Sequence, residues 1–245
     1  MNERIEQSKE MNDTGKNMLE NVMVISAFNI TKTYEPGTKA LDNVSVSIQK
    51  EKITVILGPS GSGKTTLLNI LALLDKPDSG KITLEGKDIS MLSEKEAAII
   101  RNKMFGFVFQ FFHLIPELTV EENIMVPLMI RNPYNSFNEH RERVYNLLAD
   151  FHLENKKNQY PNKLSGGEKQ KVSICRSLAG NPNIIFADEP TGNLDRESAS
   201  ELISIIEHLN RTKGKTFVIA THNENFLKIA TNVVYLSGGK IINRE

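Results

Sequence analysis

The sequence has a single cysteine, Cys175, in 245 residues. That excludes an internal disulfide framework and a multi-cysteine zinc site, and it suits a reducing compartment. Neither charge is in excess: thirty Lys and Arg offset thirty Asp and Glu, for a net charge of zero. Strong nucleic-acid association and polybasic attachment to a membrane surface both need a positive excess, so no nucleic-acid partner is expected. No run approaches the roughly 20 apolar residues that cross a bilayer. A role at a membrane therefore calls for a separate protein that supplies the spanning part. An internal repeat is also missing, so each motif occurs once. What is there is an ordinary globular mixture, 39% hydrophobic and 24% charged. The chain is long enough to bury a large core without staples.

Residues 1–22 carry Arg4, Lys9 and Lys16 against Glu3, Glu6, Glu10, Asp13 and Glu20, with no apolar periodicity and no secretory or transit pattern. They read as a flexible extension, with a short frayed helix as the alternative. From residue 23 onward, strand-like and helix-like patterns alternate. Strands are expected at 24–33, 44–48, 53–57, 81–84, 105–109, 184–188, 216–220 and 233–236. Helices are expected at 64–74, 94–101, 120–129, 139–150, 167–179, 197–210 and 224–230. Ser93 with Glu96, and Thr119 with Glu122, have the spacing of capping boxes. The stretch from about 87 to 180 is mostly helical, with short apolar strands on either side. The pattern predicts one α/β nucleotide-binding domain over 23–245 with a helical subdomain inserted, not two consecutive domains.

The residues at 53–57, ITVIL, form a short continuous apolar run of the kind found in a buried parallel strand. It leads into Gly58, Pro59, Ser60, Gly61, Ser62, Gly63, Lys64, Thr65 and Thr66, and then into an amphipathic pattern. The glycines let the backbone aim successive amides at one anion, and the helix start adds partial positive charge. Lys64 has the reach for β- and γ-phosphate oxygens, and the Thr65 hydroxyl suits Mg²⁺. This phosphate loop does not by itself separate kinases, GTPases, motors and transport ATPases.

A second acidic element narrows the choice. The segment IIFADE at 184–189 is a buried strand that ends in two adjacent carboxylates. Successive strand residues face opposite sides, so Asp188 and Glu189 should have different tasks. Asp188 can hold the Mg²⁺ shell and Glu189 can polarise an attacking water. His222 follows a further buried strand, at the carboxyl end where open α/β sheets place ligands.

The run Leu164, Ser165, Gly166, Gly167 and Glu168, between the phosphate loop and the acidic strand, resembles the signature of ATP-binding-cassette (ABC) ATPases. With it, the chain is similar to that family over nearly all of 23–245, with its motifs in order. The resemblance implies a P-loop NTPase (RecA-like) core, an N-terminal antiparallel β region and a helical subdomain carrying the signature. It implies that Tyr34 stacks on adenine (a rim tyrosine is the other reading) and that Gln110 is a glutamine ligand near the magnesium. Asp195 then belongs to the D-loop, and His222 is a switch histidine that contacts the γ-phosphate. Glu189 becomes the general base, and ATP with Mg²⁺ the nucleotide and metal. Lys171 departs from the family pattern, in which arginine is common; it keeps the charge but not the planar fork.

Ser165, Gly166 and Gly167 open a predicted helix, which is a second anion-binding start on the same chain. In the family, each ATP lies between one subunit's phosphate loop and the other's signature. One copy of each motif thus implies a head-to-tail dimer with two equivalent sites. The family also implies integral-membrane permease subunits and a place on the cytoplasmic face of the plasma membrane through them. Five phenylalanines crowd 105–112. Phe105, Phe107 and Phe109 alternate on a strand and are expected in the core. Phe111, Phe112, Leu114 and Ile115 follow Gln110 in a loop, as a groove for a permease segment or as packing against the helical insertion. Phrasing around the motifs is similar to the macrolide-exporter, lipoprotein-release and antimicrobial-peptide-resistance branch, implying export or extraction of a peptide, lipoprotein or drug. A short end after Asn243, without an importer-type regulatory domain, points the same way. The alternative is an ATPase of a membrane-anchored non-transport assembly, such as a cell-division or cluster-assembly complex.

Overall fold

A computed structural model describes residues 22–35, 37–131, 134 and 137–242. The extension expected over residues 1–22 lies outside the described residues except for Val22. Two sheets form the frame. The first is antiparallel, in the order β2 (Thr38–Gln49), β1 (Met23–Tyr34), β4 (Ser79–Leu84) and β5 (Lys87–Asp88). The second, in the order β10-β9-β3-β8-β7-β6, contains β3 (Ile53–Leu57), β6 (Phe105–Phe109), β7 (Ile184–Asp188), β8 (Thr216–Thr221), β9 (Asn232–Ser237) and β10 (Lys240–Ile242). Its strands pair in parallel except β10, which turns back on β9.

The period-two geometry of strands divides the core. Ile53, Val55 and Leu57 of β3 pack on one side with Ile185 and Ala187 of β7 and Phe217 and Ile219 of β8. Covering that face are helices α3 (Val120–Arg131), α4 (Phe137–Asp150), α5 (Gly166–Ala179) and α6 (Arg196–Lys213). Ile56, Phe186, Val218 and Ala220 point the other way, against α1 (Lys64–Leu71) and the antiparallel sheet. With both faces covered, unbroken apolar strands are what the physics requires. The fold is a RecA-like P-loop core with an N-terminal β-sheet region and a helical subdomain, as expected. Cys175 is fully buried on α5, a small packing residue whose thiol burial pushes up in pKa.

Both expected capping boxes form, at the start of α2 (Glu94–Met104) and of α3. Most elements shift by one to three residues at an edge, and three expectations differ in an instructive way. Helix α1 stops at Leu71 instead of 74, because Leu73 turns to φ +57° and the Leu74 amide closes the helix on the Asn69 carbonyl at 2.8 Å. Strand β2 starts at Thr38, since pairing of Tyr34 with Thr38 carries the ladder through a polar stretch that has no apolar signal. The segment expected to be helical at 224–230 is a 3₁₀ turn, Glu224–Lys228. Strands β5 and β10, two and three exposed residues long, are visible only through their pairing.

Candidate functional site

Parallel register brings the carboxyl ends of three strands together. Leu57 pairs with Thr221, and Ala220 pairs with Asp188. The phosphate loop, Asp188, Glu189 and His222 therefore leave the sheet side by side, at the end where α/β sheets hold ligands. The loop is backed by the β9–β10 turn, with the Gly239 amide donating to the Ser62 carbonyl at 3.1 Å. Backbone packs on backbone there: a Cβ at Gly58 would lie 2.1 Å from the Leu236 carbonyl oxygen. Gly63 has φ +100°, and its Cβ would lie 2.4 Å from the Ala40 carbonyl oxygen. No other residue type fits either position without moving main chain.

Gly63 is also the N-cap of α1, and it offers no side chain to the helix amides; the first turn carries no acidic residue. The helix start is thus a donor surface with no internal acceptor competing for it. Lys64, only 6% exposed, donates from Nζ to the Gly58 and Pro59 carbonyls, both at 3.0 Å. A carboxylate oxygen of Glu189 lies 3.6 Å from the same ammonium. The Thr65 hydroxyl donates to Asp188, 3.0 and 3.1 Å from its two oxygens. Burial, helped by the Glu189 charge, raises the Asp188 pKa against the opposing Thr65 bond.

Glu189 is gripped from the β8 end. Thr221 donates its hydroxyl to Oε2 at 2.9 Å, the His222 amide donates to Oε2 at 3.3 Å, and His222 Nδ1 lies 3.0 Å from Oε1. Thr221 had no signal in the sequence beyond its place at a strand end next to His222.

The remaining predicted residues fall into three satellites. Tyr34 lies at the end of β1, 41% exposed, its hydroxyl donating to Asp75 at 2.7 Å. Lys32 bridges to Asp75 at 2.9 Å and stands 5.2 Å from the Tyr34 ring centre. Burial and the Asp75 bond raise the tyrosine pKa, and Thr66 acts on the hydroxyl in the opposing sense. Gln110 directly follows β6 with its side chain against Gly192, and its carbonyl accepts from Asn193 Nδ2 at 2.9 Å. Asp195 caps α6 by accepting from the Ser198 amide at 2.8 Å and its hydroxyl at 2.9 Å.

The third satellite is the signature. Ser165 caps α5 in a capping box with Glu168, which also pairs with Lys156 at 2.9 Å. Gly166 faces the Asn193 carbonyl, and a Cβ at Gly167 would meet the Ser198 hydroxyl at 2.9 Å. Lys171, the departure from the family pattern, pairs with Glu201 at 2.7 Å.

A nucleotide triphosphate with Mg²⁺ fits this donor set. The Ser62 hydroxyl is buried in the loop without a hydrogen-bond partner, which marks a donor suited to an incoming oxygen. Among the described residues no cluster of three or more His, Cys, Asp and Glu could enclose a metal. Mg²⁺ needs no such cage, because it binds through one or two protein oxygens plus phosphates and waters. Thr65 and Asp188 offer that pair.

The description "ABC transporter" belongs to a family model that matches residues 41–192. An uncharacterized ABC transporter ATP-binding protein of Methanocaldococcus jannaschii is 46% identical over 89% of this chain and 98% of its own length. The lipoprotein-releasing system ATP-binding protein LolD of Wigglesworthia glossinidia brevipalpis is 39% identical over 93% of this chain and all of its own. Among solved structures, the dimeric post-hydrolysis state of the cassette MJ0796, bound to ADP and Pi, superposes with a TM-score of 0.83 at 40% identity, covering 90% of this chain and 97% of that one.

Proposed function

This chain belongs to the ABC transporter family, and we propose that it is the ATP-hydrolysing subunit of a transporter whose separate permease exports or extracts a peptide, lipoprotein or drug. The observation that carries the hydrolysis is the convergence of Lys64, the Thr65–Asp188 pair and the Glu189–His222 pair at one sheet end. The 39% likeness to a lipoprotein-release protein supports the macrolide-exporter, lipoprotein-release and peptide-resistance branch. The domain reading, 23–245 with a helical part at about 87–180, goes with this proposal.

The chemistry asks for positioning and charge more than for covalent work. The loop amides and Lys64 neutralise phosphate oxygens. Thr65 and Asp188 would hold the metal, with Gln110 added by resemblance, and Mg²⁺ would supply positive charge against the developing phosphate charge. Glu189 takes a proton from the attacking water as the new P–O bond forms, and the bond to the β-phosphate oxygen breaks to leave ADP. Placed 3.0 Å from Oε1, His222 orients that carboxylate and faces the γ-phosphate. Tyr34 stacks on adenine, with Lys32 against its ring. Ser165, Gly166, Gly167 and Asp195 serve the nucleotide of a second copy, whose phosphate loop they face.

Among the described residues no helix is long and apolar enough to cross a membrane. Attachment to the cytoplasmic face of the plasma membrane runs through the permease. Phe107 and Phe109, expected in the core, are only half-buried and with His113, Ile130 and Arg176 line a cleft of about 510 Å³; this cleft and the 70% exposed Phe111 beside it support a docking surface for the permease.

The decisive experiment is Glu189→Gln. A positioned base contributes on the order of 10²–10⁴ in rate, so turnover should fall by about that much while ATP binding persists and dimers accumulate with ATP. Hydrolysis at the parental rate would remove Glu189 from the role of base.

A further inference from the structure

Glu189 is held in a conformation that its own chemistry disfavours. Its φ is +43°, in the left-handed region where a residue with a Cβ sits at a cost. The next residue is Pro190, whose ring crowds the residue before it. Such a residue persists only where its surroundings over-determine it. Main-chain bonds do part of this: the Glu189 amide donates to Ala220 at 2.8 Å, and its carbonyl accepts from Gly192 at 3.0 Å.

Thr221 and His222 hold its carboxylate, Asn223 donates to the Thr191 hydroxyl at 3.2 Å, and one further side chain grips the turn from the helical subdomain. Gln170 of α5, 1% exposed, donates from Nε2 to the Pro190 carbonyl at 2.6 Å. Its Oε1 is buried with no hydrogen-bond partner. The amide's acceptor oxygen is therefore unpaired in a dry interior, a cost that an apolar side chain of the same length would avoid. Packing alone does not account for a glutamine here; the bond to Pro190 does.

We infer that Gln170 is a positioning residue for hydrolysis: through the Pro190 carbonyl it holds the strained turn that aims the Glu189 carboxylate. It stands on the helix that Ser165 caps. Movement of the signature helix therefore reaches the base through one hydrogen bond, and the base aligns fully only when that helix is seated. This inference rests on the assignment of Glu189 as the base.

The test uses the full chain in four forms: parent, Gln170→Met, Glu189→Gln and the double variant. Melting temperature, ATP KM and single-turnover hydrolysis are measured for each. Gln170→Met should fold, keep the parental ATP KM and lose about 10²-fold in kcat, the scale of a misplacement near 1 Å. In the Glu189→Gln background the same substitution should cause no further loss, because nothing is left to aim. An unchanged kcat in Gln170→Met overturns the inference, as does an equal loss in both backgrounds or a loss that appears in KM. Should Gln170→Met fail to fold, Gln170→Ala, which leaves room for water at the Pro190 carbonyl, is put through the same comparison. Parental hydrolysis by Glu189→Gln is the separate outcome that removes the base assignment itself, and this inference with it.

Discussion

Asp75 answers to two partners at once, Lys32 at 2.9 Å and the Tyr34 hydroxyl at 2.7 Å. Burial would raise its pKa, but the bonds from Lys32, Tyr34 and the Lys76 amide prevail and lower it. A carboxyl whose folded pKa is depressed binds protons more readily when unfolded, so it contributes stability above its unfolded pKa and loses it as pH falls through the folded one. Asp75→Asn should thus be less stable than the parent above about pH 4, and the gap should narrow as the solution is acidified further. A partly exposed charge pair of this kind is worth on the order of 1 kcal/mol, or roughly 2–4 °C in a chain of this size. Thermal melts of both proteins from neutral to acid pH measure it, and a gap that stays constant would remove the charge from the explanation. Asp75 has no local signal, being 41 residues from the tyrosine it serves. Glu189 and Lys64, in contrast, were legible: Glu189 directly follows an apolar strand, and Lys64 closes the glycine-rich loop that follows another.

The segment between β6 and α3 shows how elements constrain a loop. Phe112 and His113 both have positive φ, and their carbonyls are held by Arg176 of α5, whose burial lowers the pKa of its guanidinium. The other end is held by Asn123 of α3, fully buried, which accepts from the Ile115 amide at 2.8 Å and donates to the Ile115, Leu118 and Thr119 carbonyls. Phe111 is therefore presented on an anchored loop. Phe111→Ser with Phe112→Ser should weaken co-purification with the permease and leave ATP affinity unchanged; undiminished co-purification would count against the surface. Asn123→Ala removes four part-buried bonds; the Ile115 and Thr119 carbonyls keep the Leu118 and Asn123 amides, so the loss falls on the Ile115 amide and the Leu118 carbonyl. It should melt measurably lower than the parent and show faster hydrogen exchange at 113–119, while the phosphate loop exchanges as before. The groove reading came from phenylalanine crowding alone. The anchors escaped it because a buried Asn or Arg carries no periodicity, and its value is set by carbonyls far along the chain.

At the scale of the whole molecule, the central sheet was legible because β3, β7 and β8 are apolar on both faces. The first half of β2, along with β5 and β10, was not, since those residues become strand through pairing and not through pattern. The same division runs through the site. The two glycine-bearing helix starts, at Gly63 and at Ser165, could be read from glycine and hydroxyl spacing, whereas what surrounds them could not. Lys64 contacts Gly58, Pro59 and Glu189, while the signature residues contact Lys156, the Asn193 segment and Ser198. The two motifs thus have separate neighbours in one copy. A relative with the same fold is dimeric with ADP and Pi bound. If hydrolysis needs the signature of a second copy, its rate follows the dimer population, which mass action sets. Turnover per molecule should then fall in proportion to protein concentration once the chain is diluted below its dimer dissociation constant, and raising ATP should move that point to lower protein. A dilution series of ATP turnover, paired with sedimentation to count the species, measures both. A rate per molecule that stays constant where sedimentation finds only monomers would mean that one copy holds a complete site, and the signature would lose its assigned role.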